Sequence, residues 1–211
     1  MAQVRQYCRV EIPDDDTLIS SLITAARIEC EQRVNRSFVY TDWLLTLDYF
    51  PPYSQIFSPV YAALGAASGY EGSIFRGSFF SAMDRGAIRL PYPPLYQVNS
   101  ISYLAMNNQI TTLDLGNVAG VPPQVVVSLG TPGRITPVFG RLFPPTLPVL
   151  GSVAIRYTAG YGPGPDNVPA PIVQAITMLA THYYEHRLED AREPSAINSL
   201  LRTVEWSGGI G

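Results

Sequence analysis

The string with the clearest capacity for chemistry is His182-Tyr183-Tyr184-Glu185-His186. Two imidazoles four residues apart share one face of a helix, with a carboxylate beside them. This is the H-x-x-E-H pattern in which a peptidase holds zinc and activates its bound water. A catalytic zinc also needs a third protein ligand, and the downstream candidates Glu189, Glu193 and Glu205 lie on the same helix end or in the tail. An ordinary helix C-terminus explains the same residues: His186 and Arg187 complement the negative end of the dipole, while Glu185 and Glu189 stay solvated. The second reading is carried forward. No catalytic, metal or cofactor residue is assigned, the chain is read as not an enzyme, and a zinc hydrolase is kept as an alternative.

The remaining polar strings yield less. Asp14-Asp15-Asp16 lacks the roughly 12-residue ligand spacing and central glycine of a calcium loop, and reads as the acidic start of a helix. Gly160, Gly162 and Gly164 have no following Lys-Ser/Thr and read as turn residues rather than a phosphate cradle. No Ser–His–Asp grouping has a local signature. Cys8 and Cys30 have no metal spacing; Cys30 falls on an apolar helix face and reads as a small core residue, and two cysteines suit a reducing compartment.

The elements that position these residues follow from periodicity. Pro13 and the acidic run open a helix whose apolar face is Leu18, Leu22, Ala25, Ala26 and Cys30, flanked by Ile19 and Ile23, ending near Val34 with Asn35 as the stop. Val39–Phe50 reads as a strand. Short strands are expected at Ala87–Leu90, at Val98–Ala105 and Ile110–Leu115 around an Asn107-Asn108 turn, at Gln124–Leu129 and at Ile135–Val138. Val153, Ile155 and Tyr157 alternate with Ala154, Arg156 and Thr158, a half-buried strand. A second long helix starts near Pro169 and carries Ile172, Ala175, Ile176, Leu179, Ala180 and Tyr183 on one face. A third, short helix spans Pro194–Leu201, and Trp206 is the large residue of a glycine-rich end.

The expected fold class is α+β: a long-helix bundle, made of the N-terminal helix and two C-terminal helices, with an inserted antiparallel β-region and an extended C-terminal tail. Residues 1–211 are read as a single domain. Its helical scaffold is 14–35 and 169–202, its β-rich insertion 39–162 with a long loop at about 51–85, and its tail 203–211. The scaffold packing residues are Leu18, Leu22, Ala26, Ile172, Ile176 and Leu179.

Composition limits the function. Of 211 residues 46% are hydrophobic and only 15% charged, so the chain is globular and part of its surface is expected to be covered by other protein. The net charge of −3 argues against tight DNA binding, which needs clustered cations to release counterions. All 14 basic residues are arginine. No apolar run approaches the roughly 18 residues of a membrane span and no signal segment is visible, so the expectation is a protein made and used without crossing a membrane.

Several strings, in order, resemble the head–tail connector (adaptor, or head-completion) proteins of tailed bacteriophages. They are DDTLISSLITAARIECEQRVNR at Asp15–Arg36, then Thr41–Trp43, then IRLPYPP and VNSISY at Ile88–Pro94 and Val98–Tyr103. IRYTAGYG at Ile155–Gly162, Val168-Pro169, the Ala175-Ile176 helix with Tyr184 and Arg187, and Leu200-Leu201 complete the set. The long Pro51–Arg85 excursion and the two histidines depart from the pattern. The resemblance implies a virion structural protein at the head–tail junction, assembled in the host cytoplasm. It also implies a homo-oligomeric ring, expected to be a dodecamer, below the portal protein and facing a stopper or tail-completion protein. DNA would pass through its channel without sequence-specific binding.

Two further surfaces are expected to make contacts. Tyr70, Phe75, Phe79 and Phe80 are aromatic anchors in the 51–85 segment for a neighbouring subunit or virion protein, or else fill a small core of their own. Thr203, Val204, Glu205, Trp206 and Ile210 form the expected portal-docking tail, with Trp206 as its anchor. The aromatic segment also leaves open a β-rich recognition module.

Overall fold

The structure is a computed structural model that describes residues 2–9, 13–51, 86–116, 122–186 and 193–205. It contains helices α1 (Ala2–Cys8), α2 (Asp16–Val34), α3 (Ala170–Glu185) and α4 (Ser195–Arg202). Strands β1 (Thr41–Leu47), β2 (Ile88–Arg89), β3 (Leu95–Leu104), β4 (Ile110–Thr112), β5 (Val125–Ser128), β6 (Arg134–Pro137) and β7 (Val153–Ala159) lie between α2 and α3. The protein is mixed helix and antiparallel sheet, an α+β fold. Its chain divides into two compact units, a helical one holding residues 1–41 and 159–207 and a β-rich one holding residues 42–158.

In the helical unit, α2 packs along α3, and α3 also receives α1 and α4. Ile19, Ala26, Cys30 and Val34 are buried on α2 and meet Ile172, Ala175, Leu179 and Ala180 of α3, with Val4, Phe38, Ile197 and Leu201 closing the cluster. The three alanines in this seam leave room for close helix approach. The buried stripe of α2 runs through Ile19 rather than through Leu18 and Leu22, which are half-buried. An 18-residue apolar pattern leaves its axis uncertain by one residue, and the flanking isoleucine proves to be the central one. Ala26, Ile172 and Leu179 are fully buried, and Ile176 packs at the edge of the cluster.

The acidic run does different work from the expected helix cap. Asp15 is the N-cap residue of α2 but makes no side-chain cap hydrogen bond. Its carboxylate instead accepts from the Tyr184 hydroxyl, and Asp16 pairs with Arg5 of α1. The first turn of α2 is therefore fastened to two other helices. Asn35 ends α2 in the left-handed region at φ 53°, and its N–H returns to the Glu31 carbonyl.

The glycine-rich turn after β7 is a chain crossing. The Tyr40 N–H donates to the Gly162 carbonyl at 2.9 Å and the Tyr161 N–H to the Phe38 carbonyl at 3.1 Å. Gly160 sits at φ +139°, where a Cβ would lie 2.4 Å from the Val39 carbonyl oxygen, so no side chain fits. At Gly162 a Cβ would meet the Asn167 side chain at 2.3 Å. The first glycine serves backbone conformation and close approach, the second close approach alone.

The β-rich unit holds two sheets, one ordered β1-β7-β3-β4 and one ordered β2-β6-β5. β3 and β4 form the expected hairpin, in register Ser102 to Thr112, and β6 pairs antiparallel with both β2 and β5. Ile101, Val153, Ile155 and Tyr157 are buried on the first sheet, and Ile88, Val125 and Ile135 on the second. Tyr157 donates its hydroxyl to the Pro91 carbonyl at 3.0 Å. Among the described residues no helix is long and apolar enough to cross a membrane.

The burial pattern separates two substitutions on α2. Ile19→Asp places an unpaired carboxylate in the cluster and is expected to cost about 3–5 kcal/mol. Leu22→Asp, on the half-buried flank, is expected to cost about 1 kcal/mol or less. Urea unfolding followed by circular dichroism measures both; equal losses would contradict the stripe described here.

Candidate assembly surfaces

A connected polar cluster lies where α2, α3 and α4 meet. Arg33 of α2 donates to both carboxylate oxygens of Glu193, at 2.6 and 2.7 Å, and to Asn198 of α4 at 3.3 Å. It also pairs with Glu29 one turn earlier, and Glu29 accepts from the Tyr183 hydroxyl of α3. The bidentate geometry suits the planar guanidinium, which no lysine would reproduce. Burial opposes ionisation of Glu29, but the hydrogen bonds from Tyr183 and Arg33 and the charge of Arg33 outweigh it, and its carboxyl lies below the ordinary value. Burial, then the bond to Glu29, raises the Tyr183 hydroxyl. The hydrogen bonds to Glu193 hold Arg33 firmly charged. Beside this cluster, Ala25, Ile28, Glu29, Gln32 and Arg33 line an open hollow of about 600 Å³ along one helix face.

The second cluster belongs to α2 alone and the segment after it. Glu31 accepts the Phe38 N–H at 2.7 Å and pairs with Arg27 at 2.9 Å. Cys30 is fully buried, and burial pushes its thiol up to about 12, which suits a packing residue rather than a nucleophile.

The histidines are close neighbours: the ring centroids of His182 and His186 are 4.8 Å apart on the last turn of α3. Of the carboxylates weighed as a third ligand, Glu193 is engaged by Arg33, Glu205 is exposed at the end of the described chain, and Glu189 lies outside the described residues. Among the described residues no three His, Cys, Asp or Glu side chains are grouped to hold a metal.

The start of the expected tail is tied to the helical unit. The Thr203 hydroxyl donates to the Leu200 carbonyl at 2.7 Å, the Val204 N–H donates to the Leu201 carbonyl at 3.0 Å, and Val204 packs against the helical core. Only Glu205 of the described tail is exposed without such ties. Trp206 and Ile210 lie outside the described residues, as do Tyr70, Phe75, Phe79 and Phe80. Sequence reasoning did not anticipate α1, whose Arg5, Tyr7 and Cys8 bond Asp16, Gln174 and Thr181. A seven-residue helix has too few turns to show a periodic signal.

No family model matches the chain, and no curated protein matches it. Solved structures do. A chain of the virion of a native gene transfer agent (GTA) particle has a TM-score of 0.68 at 19% identity, the match covering 100% of this chain and 90% of that one. The neck of the empty GTA particle, computed with C6 symmetry, gives 0.66 at 20% identity, and the neck of the native particle, computed with C12 symmetry, gives 0.62 at 18%, with the same coverage. At such identities the likeness establishes the fold. It is a fold found among the chains of virions, and more particularly in the neck of such a particle.

The Glu29 arrangement has a pH signature. Because its folded carboxyl lies below the ordinary 4.5, its contribution is complete above about pH 4.5 and fades as pH falls through the folded value. Tyr183 behaves oppositely, contributing fully below its ordinary value of 10 and losing that contribution as pH rises above it. Glu29→Gln should flatten the acid limb of stability against pH and Tyr183→Phe the alkaline limb, both read from urea midpoints. Unchanged limbs would show that the network carries no folding energy.

Proposed function

We propose that this chain is a structural component of the neck of a tailed phage-like particle. In this reading it forms a homo-oligomeric ring, taken as twelvefold, under the portal protein, and joins the head to a stopper or tail-completion protein. The observation that carries the reading is the match over the whole chain to chains of gene transfer agent necks computed with C6 and C12 symmetry. The order of connector-like strings along the sequence supports it independently. So does the chemistry: Arg33 at the α2–α3–α4 junction is neutralised by carboxylates of its own subunit, and the net charge of −3 disfavours adhesion to phosphates. DNA would move through such a channel unhindered. The reading places the protein in the virion, assembled in the host cytoplasm, without an enzymatic role and without a cofactor.

The helical unit is the scaffold of this reading, with α2, α3 and α4 as the bundle that neighbouring copies align. The tail beyond Glu205 is the portal-docking arm, anchored by Trp206, and the aromatic residues Tyr70, Phe75, Phe79 and Phe80 are contacts to a neighbouring subunit or virion protein. Ordering an arm costs conformational entropy, which many copies acting together offset.

Native mass measurement and negative-stain microscopy, with the protein alone and mixed with portal-bearing heads, test the ring. Closed rings or collars are expected; a protein that stays monomeric under both conditions would defeat the reading. Truncation after Glu205 tests the arm, because it leaves Val204 in the core. The truncated chain is expected to fold with an unchanged melting temperature and to lose attachment to heads. Attachment at wild-type yield would leave the arm without a docking role.

A further inference from the structure

The two sheets treat their edges differently. In the three-stranded sheet β2 carries Arg89 and runs into Pro91, and β5 begins just after Pro122-Pro123. Charge and proline at an edge discourage another strand from joining. The four-stranded sheet has fewer of these devices at the ends of its order. β4 reads Ile110-Thr111-Thr112, and β1 reads Thr41 to Leu47 with Asp42 as its single charge and no proline.

The backbone phase of β4 follows from its bonds to β3. The Ala105 N–H donates to the Gln109 carbonyl at 2.9 Å and the Leu113 N–H to the Ile101 carbonyl at 2.8 Å. In an antiparallel ladder hydrogen-bonded positions alternate, so 109, 111 and 113 face β3 while Ile110 and Thr112 direct N–H and C=O away from the sheet. Asp114, the next outward-facing position, is bonded by Gln124, so the stretch on which no described strand pairs is Ile110–Thr112.

Exposed apolar side chains accompany both edges. Ile110 is 79% and Met106 60% exposed beside β4; Leu44 is 55% and Tyr49 65% exposed on and just after β1. The hydrogen bonds from Leu104 to Ser152 and from Gly151 to Asp48 bring the Met106, Leu150 and Tyr49 ends of the strands together at one end of the sheet. Leu150 there is also exposed.

We propose that these edges are the two halves of one contact between copies of this chain, β4 of one copy adding to β1 of the next, with Ile110 and Met106 covering Leu44 and Tyr49. The proposal rests on the ring reading above and names the surface that closes it. A rotational ring requires each copy to present two different surfaces that fit one another. The opposite edges of one sheet meet that requirement: both offer strand backbone, both carry exposed apolar residues, and only Asp42 brings charge. A foreign strand would occupy one edge and leave the other bare.

The test uses the purified full chain, alone and on portal-bearing heads. Ile110→Lys and Leu44→Lys each put charge into the contact without touching the buried cores, and ring yield should fall about tenfold or more while the melting temperature is unchanged. The double variant Ile110→Lys/Leu44→Glu places opposite charges across each junction and should recover rings. In wild-type protein, amide exchange of peptides covering 41–47 and 110–112 should slow on ring formation, a measurement that depends on no variant. Rings at wild-type yield from both lysine variants, or unchanged exchange at both strands, would overturn the edge contact while leaving the ring reading intact. Intact rings that no longer attach to heads would assign the surface to another virion protein and overturn it too. A wild-type chain that never forms rings would instead remove the reading on which the proposal stands.

Discussion

The arrangement depends on a crossing of two backbone segments. The chain leaves the helical unit through Phe38–Tyr40 and re-enters it through Gly160–Gly162, and the two passages are bonded to each other. The contact is close enough that Gly160 must lack a side chain and take a positive φ. Because this pairing is made by main-chain groups, it depends on the absence of a side chain at Gly160 more than on the identity of the side chains around it. It brings the end of α2 and the approach to α3 together, and the alanine-lined seam between those helices can then close over Ile19, Ile172 and Leu179.

Polar bonds then select one helix arrangement from those that the apolar faces would allow. Apolar burial favours contact but is weakly directional. Arg33, held by carboxylates from two elements, and Tyr183 and Tyr184, each seated on a carboxylate of or next to α2, define the rotation of α3 about its axis. Asp16 does the same for α1 through Arg5. These are partly exposed pairs with modest individual energies, so their main effect is on geometry rather than on total stability.

Much of this was legible in the sequence where periodicity runs long. The two long helices, the Asn35 stop, the Asn107-Asn108 hairpin and the alternation of Val153–Tyr157 all emerge as expected. What escaped depends on partners distant in sequence. Asp15 and Asp16 look like caps until Tyr184 and Arg5 are brought to them, and Glu193 looks like a spare ligand until Arg33 occupies it. The buried stripe of α2 takes in the flanking Ile19 and leaves Leu18 and Leu22 half-buried because the neighbouring helix, not the hydrophobic pattern, determines which flank is covered. Of the expected contact surfaces the structure describes only Thr203, Val204 and Glu205, and it ties the first two to α4. The open edges of the four-stranded sheet had no sequence signal, since strand order is a property of topology rather than of local pattern.

The crossing at Gly160 also bears on how such a chain could diversify. Residues 42–158 leave and rejoin the helical unit through Phe38–Tyr40 and Gly160–Gly162, two segments bonded to each other. For the helical unit the intervening sequence is one closed loop, whose length enters the closure entropy only logarithmically, about 0.6 kcal/mol for each doubling. A change of length between those positions adds little to the closure cost of the helical unit. Length can therefore change between the two segments at small entropic cost, provided that a glycine stays where they meet.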